Sequence, residues 1–152
     1  IRLSGADVVL GGRIRRPLDD GAGNLAGRAN LKGFAFEYMT AGRVVVLGDP
    51  GPWICSGMTG GTVYCHLDEA MGLDRAALRR RLARGAKVEF RDLDEEDVAA
   101  LGELLLPYHR ELLHSHQEEE ADWVEEVLAR YRGRFVKIVP EGTAVKPPVA
   151  TE

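Results

Sequence analysis

Between Tyr38 and Cys65 the chain repeats itself at a fixed step. Tyr38-Met39-Thr40-Ala41-Gly42-Arg43-Val44-Val45-Val46 lies over Gly57-Met58-Thr59-Gly60-Gly61-Thr62-Val63-Tyr64-Cys65 at an offset of 19 residues, with Met, Thr and the second Gly in register. Leu3-Ser4-Gly5-Ala6-Asp7-Val8-Val9-Leu10 falls in the same frame 36 residues earlier, near two periods. Fixed-period self-similarity of this size suits stacked coils, each of which cannot bury its apolar face alone. The pattern therefore predicts a β-solenoid of at least three coils. An antiparallel sheet with Gly-rich hairpins is the alternative, because short strands are ambiguous by periodicity.

In a solenoid the chain turns sharply at each corner while its backbone packs on the coil above, and glycine supplies positive φ and no Cβ for that purpose. Gly42 and Gly61 take equivalent corners, and Gly48, Gly51, Gly57 and Gly60 complete the expected structural turns. Successive strand side chains point to opposite faces. Val8, Leu10, Val44, Val46, Val63 and Cys65 share one parity, assigned to the interior. The other parity carries Val9, Val45, Leu47, Tyr64 and His66, too apolar to leave in water as one patch. The C-terminal helices are expected to cover it.

The remaining chain reads as that cover. Asp74 caps a helix to Arg84 that Gly85 stops; Lys87–Arg91 is a strand; and Asp94 caps a second helix with Glu95, Glu96 and Asp97 in its first turn. Val98, Leu101, Leu105, Tyr108 and Leu112 form its apolar stripe. Pro107, which removes a donor and clashes with the carbonyl of Glu103, predicts a kink or break. Asp122–Tyr131 is a third helix packing through Trp123, Val127 and Tyr131, and Gly133 ends it. Phe135–Val139 is extended. The domain reading is one unit over 1–140, with coils in 1–72 and a helical and extended cover in 73–140; 141–152, with Pro147-Pro148, is a disordered tail.

The 152 residues carry a net charge of -4. One domain of this size can bury a core of its own. The acidic balance and the shortness of the basic run Arg79–Arg81 argue against nucleic acid as a partner. No apolar run approaches the roughly 20 residues of a membrane span, and no signal peptide is visible, which makes the cytoplasm the expected location. Gln117 is the only glutamine, and Asn occurs only at Asn24 and Asn30. Such amide depletion occurs in thermophiles, and a GC-rich genome gives the same bias. The start at Ile1, inside a strand pattern, suggests a missing upstream portion.

Each residue capable of site chemistry also has a packing role open to it. The two cysteines, Cys55 and Cys65, cannot alone complete a zinc or iron–sulfur site. Cys55 could be proposed as a nucleophile, but the aligned residue one repeat earlier is the apolar Phe36, and a small buried thiol is the favoured reading for both. His114 and His116, with His109 nearby, point different ways on a helix and suit chelation poorly; Glu118–Glu120 reads as a solvated acidic run. No glycine pattern has phosphate-loop or dinucleotide-binding spacing. Trp53, flanked by Pro52 and Ile54, is either a partner anchor or a packing residue.

Gly33–Gly48, with Glu37-Tyr38-Met39-Thr40, and Ser56–Tyr64, with Gly57-Met58-Thr59-Gly60-Gly61, resemble the GXGXG-motif domain at the C-terminus of the glutamate synthase large subunit. The likeness continues through Leu93–Asp97, Ala121-Asp122-Trp123 and Arg134–Pro140, and so covers most of 1–140. Ala41 departs from the pattern where Gly is common, and the Asp74–Arg84 helix and Pro107 look like additions.

The resemblance implies a right-handed parallel β-helix followed by C-terminal α-helices, with no catalytic, cofactor or metal residues of its own. It implies a scaffold for glutaminase and FMN-binding synthase domains or subunits in glutamate biosynthesis and ammonia assimilation, with FMN and an iron–sulfur cluster in those partners. The glutaminase reaction would need an N-terminal cysteine where this chain has Ile1, and a three-iron cluster would need three cysteines where it has two. Two alternatives belong to other classes. One is an independent enzyme or ligand-binding module using Cys55, Tyr64, His66 or the His109–His116 region. The other is a self-assembling homo-oligomer like the β-helix subunit of formylmethanofuran dehydrogenase.

Overall fold

The computed structural model describes residues 3–22, 25, 31 and 34–144; the readings that fall on Ile1, Gly33 and 145–152 lie outside them. Among the described residues five strands and three α-helices follow the order β1 (Ser4–Leu10), β2 (Ala41–Val46), β3 (Thr62–His66), α1 (Arg75–Arg81), β4 (Val88–Arg91), α2 (Glu95–His114), α3 (Glu118–Ala129) and β5 (Phe135–Pro140). They form one sheet in the order β1-β2-β3-β5-β4. The pairs β1·β2 and β2·β3 are parallel, whereas β3·β5 and β4·β5 are antiparallel.

Neither the β-solenoid expected from the repeat nor the right-handed parallel β-helix implied by the resemblance is therefore the fold. The sheet is mixed and open, and helices stand between strands as well as near the C-terminus. Two physical facts explain the difference. Each repeat contributes a single strand to the sheet, and between β2 and β3 the chain returns through bends and turns instead of further solenoid faces. The free edge of β3 is then taken by β5, which runs antiparallel and closes that edge to another parallel coil.

The repeat itself survives as strand register. Arg43 pairs with Thr62 and Val44 with Val63, the 19-residue offset, and Val8 pairs with Val44, the 36-residue offset. Alternation along these strands then divides the molecule into two cores. Val44, Val46, Val63 and Cys65 pack with Met39, Ile54, Cys55, Leu73, Leu78 and Ile138 on one side. Val45, Leu47 and Tyr64 pack on the other against Leu101, Leu104, Leu105, Leu112, Val124 and Val127 of α2 and α3. The second face of the sheet is thus the one the helices keep from water.

Helix ends are set by tertiary partners. Asp74 caps α1 by accepting from the Ala77 amide at 2.8 Å. The helix stops at Arg81, short of Arg84, because Ile54 takes the next residues into a bridge: its amide donates to the Arg81 carbonyl at 2.8 Å, and the Ala83 amide donates to its carbonyl at 2.9 Å. Asp94 and Asp97 form a capping box at the start of α2. That helix runs through Pro107 without the break expected there. α3 begins at Glu118, four residues before the Asp122 start read from the pattern, with Glu118–Glu120 as its first turn. Arg13 and Arg15 fix that turn through Glu119 at 2.9 Å and Glu120 at 2.5 Å.

Candidate functional site

The glycine-bearing turns that precede β2 and β3 lie one above the other, and their backbones repeat as well as their sequences. Phe36 (φ 61°) corresponds to Cys55 (φ 64°), Tyr38 (54°) to Gly57 (66°), and Gly42 (109°) to Gly61 (86°), each pair 19 residues apart. Main-chain bonds tie the layers: Tyr38 N to Ser56 O at 2.7 Å, Cys55 N to Ala35 O at 3.0 Å, Thr59 N to Met39 O at 2.9 Å and Thr40 N to Leu3 O at 2.9 Å. Left-handed backbone at a non-glycine residue costs roughly 1–3 kcal/mol. At Phe36 and Cys55, burial of the side chains offsets that cost.

Glycine is required where one layer meets the next. A Cβ on Gly60 would lie 2.0 Å from the Thr40 carbonyl oxygen, and one on Gly42 would lie 2.4 Å from that of Ala6. A Cβ on Gly57 would enter the ring of Tyr38 at 2.5 Å, and one on Gly61 would lie 2.5 Å from Met39 Cε. Gly48 occupies a buried bend just after β2. Ala41, equivalent to Gly60, keeps its side chain because the register of β1 shifts between Ser4 and Asp7. The close approach thereby falls on Gly42 instead.

Around these turns the reactive side chains are held in packing. Cys55 and Cys65 are free and buried. Burial pushes the Cys55 thiol up to about 12 and raises that of Cys65 as well. Burial, with the bond to Asp97, also raises the Tyr64 phenol. Its hydroxyl donates to Asp97 Oδ1 at 2.8 Å, and Lys137 Nζ donates to Asp97 Oδ2 at 2.6 Å. These three groups, with Arg43, line a cleft of about 470 Å³.

His66 is buried between Trp123 and Phe135. The other histidines do not converge: His109 Nε2 lies 3.9 Å from Glu125, His114 ends α2, and His116 has φ 57° beyond it. Among the described residues no group of three or more His, Cys, Asp or Glu side chains is placed to hold a metal ion. Trp53 is 44% exposed and also left-handed, at φ 63°.

Sequence reasoning missed the ion cluster behind the turns. The basic run Arg79–Arg81 is split three ways. Arg79 lies over the Phe90 ring at 5.3 Å, Arg80 bonds Asp20 at 2.8 Å, and Arg81 turns inward with 1% exposure. Arg81 Nε donates to Asp49 Oδ1 at 2.7 Å, and Nη2 to Asp49 Oδ2 at 3.2 Å. Its Nη1 reaches Asp20 Oδ2 at 2.7 Å and the Ala77 carbonyl at 2.9 Å, while Nη2 reaches Asp20 Oδ1 at 2.8 Å. All five guanidinium donors are thus satisfied. Asp49 also accepts from the Gly51 amide at 2.9 Å, which clamps the bend before Trp53. The only signal in the sequence was an arginine on the helix face shared with Ala77 and Leu78.

This arrangement of glycine layers marks the chain as a member of a defined class. Residues 27–141 match the GXGXG motif family, and the chain belongs to that family. It is similar to segments of glutamate synthases. The ferredoxin-dependent glutamate synthase of Cyanidium caldarium is 41% identical over 73 residues, 45% of this chain and 5% of that protein. The glutamate synthase (NADPH) large chain of Bacillus subtilis (strain 168) is 29% identical over 107 residues, 69% of this chain and 6% of the relative. The glutamate synthase (NADH) of Schizosaccharomyces pombe is 32% identical over 108 residues, 68% and 4% respectively. The chain therefore spans 4–6% of the length of these relatives.

Proposed function

We propose that this chain is a non-catalytic structural unit of a glutamate-synthase-type assembly serving glutamate biosynthesis in the cytoplasm. It would hold glutaminase and FMN-binding synthase parts at a fixed separation, so that ammonia passes between their active sites. FMN and the iron–sulfur cluster would belong to those partners. The observation that carries the reading is the use of side chains within the family-matched region. Cys55, Cys65, Tyr64, Asp97, Lys137 and Arg81 are all engaged in packing or in closed hydrogen-bond networks. A rigid body of stacked layers, with its reactive groups consumed internally, suits a spacer.

Affinity purification of the tagged full chain from source-cell extract tests this. Recovery of an amidotransferase and a flavin-containing synthase is the expected result, and recovery of neither sinks the proposal. A second arm replaces Cys55 with Ser and His109, His114 and His116 with Ala. A structural unit loses little beyond stability, whereas loss of the assembly's turnover with the fold intact would reassign the chain as a participant in the chemistry.

A further inference from the structure

At the end of β3 one buried polar atom is left over. His66 is 5% exposed, and its Nδ1 is the buried side-chain nitrogen or oxygen that finds no hydrogen-bond partner among the described residues. Its ring meets Trp123 of α3 at a centroid distance of 5.7 Å and 87°, and Phe135 of β5 at 5.2 Å and 62°. Beside it a cleft of about 400 Å³ is walled by the turn after β3, by α3 and by the turn before β5. We propose that His66 is an acid-sensitive latch, whose protonation loosens α3 from the sheet at this end of the molecule.

Neutral imidazole carries one donor and one acceptor, and an unmatched neutral nitrogen has a limited cost. Protonation makes both ring nitrogens donors and adds a positive charge, and no described residue accepts from Nδ1, so that cost is larger. The surrounding charges are mixed. Asp68 and Glu69 after β3, and Glu126 on α3, are anionic; Arg132 and Arg134 before β5 are cationic. Burial lowers the imidazole below its ordinary value of 6.5, with Asp68 opposing and Arg134 adding to the shift. The packed form then binds the proton less readily than the opened form. Its stability is present at neutral pH and is lost as pH falls below about 6.5.

The element that gives way is the one without main-chain bonds here. The β3 side is tied to β5 by the ladder and by the Leu67 amide donating to the Arg134 carbonyl at 2.7 Å. By contrast α3 meets His66 through the Trp123 ring. That ring lies under Arg13 at 5.7 Å, and Arg13 pairs with Glu119 at 2.9 Å and Glu120 at 3.5 Å on the surface. The adjoining cleft offers the charged imidazole a path toward Asp68, Glu69 and Glu126.

The inference concerns the full chain alone and stands apart from the scaffold reading. With Trp53→Phe in the background, Trp123 is the remaining tryptophan, and its emission reports the latch. Between pH 8 and 5 the emission is expected to shift reversibly to the red, with the same midpoint, below 6.5, as the His66 ring protons followed by NMR. His66→Phe, which keeps an aromatic ring, abolishes the shift. An unchanged transition in His66→Phe overturns the proposal, as does titration of His66 with Trp123 emission constant. Should His66→Phe fail to fold, the two midpoints in the parent chain decide: coincidence supports the latch, and separation overturns it.

Discussion

Gly60 and Gly42 show how narrow the requirement at a single residue is. At Gly60 the backbone is unexceptional, and only the missing Cβ lets the Thr40 carbonyl approach; at Gly42 both the space and a φ of 109° demand glycine. Gly60→Ala and Gly42→Ala are each expected to destabilise by more than about 2 kcal/mol, since the carbonyl that an added Cβ would strike is backbone and cannot swing aside. Gly102 is the control. It lies inside α2 with nothing within 4 Å of an added Cβ, so Gly102→Ala should stabilise by about 0.5–1 kcal/mol. Urea unfolding of the three variants checks the ordering. The thiols give a second residue-level prediction. With Cys55 pushed up to about 12 and both side chains buried, native protein at pH 7 should resist a thiol reagent that labels both cysteines in denaturant.

At the scale of elements, Asp97 joins three of them. Its carboxylate receives the Asp94 amide at 2.8 Å in the α2 capping box, the Tyr64 hydroxyl from β3, and the Lys137 ammonium from β5. Asp97→Ala removes the cap's reciprocal bond and strands a buried hydroxyl and a largely buried ammonium. A loss of about 2–4 kcal/mol is expected in thermal or chemical unfolding. Tyr64→Phe in the same background should then cost less than it does alone, because the hydroxyl has already lost its acceptor. Amphipathic spacing made α2 legible from Asp94 onward. The role of Asp97 was not legible beyond its place in an acidic first turn, since its partners lie 33 and 40 residues away.

The whole molecule is held from behind by the Arg81 cluster, which joins α1 to the bend after β2 and to the short helical turn at Asp20–Ala22. Arg81→Met takes the guanidinium away from the buried Asp49 carboxylate and leaves Asp20 its bonds to Arg80. The expected loss is about 3–5 kcal/mol, measured by unfolding at pH 7. The bond from Arg81 holds the Asp20 carboxyl at about 2, below its ordinary 3.8, with Arg80 adding to the effect. Its folded-state value being depressed, its contribution is present above about pH 4 and lost as pH falls toward 2. Arg81→Met should flatten that acid limb, and unfolding curves from pH 5 to pH 2 check it.

The repeat and the alternation of side chains were sufficient to set strand register and to divide the residues between two cores, because pairing and side-chain direction are local consequences of period and parity. They did not locate the left-handed Phe36, Tyr38, Trp53 and Cys55, whose conformations depend on the layer bonded to them; only the alignment of Tyr38 with Gly57 hinted at it. Nor could period alone distinguish stacked coils that continue from a stack that ends. That was decided when β5 returned antiparallel along β3, and when the long-range partners of Arg81, Asp97 and His66 came together from distant parts of the chain. Such contacts depend on where elements meet in space, and a repeat of 19 residues specifies only how neighbours stack.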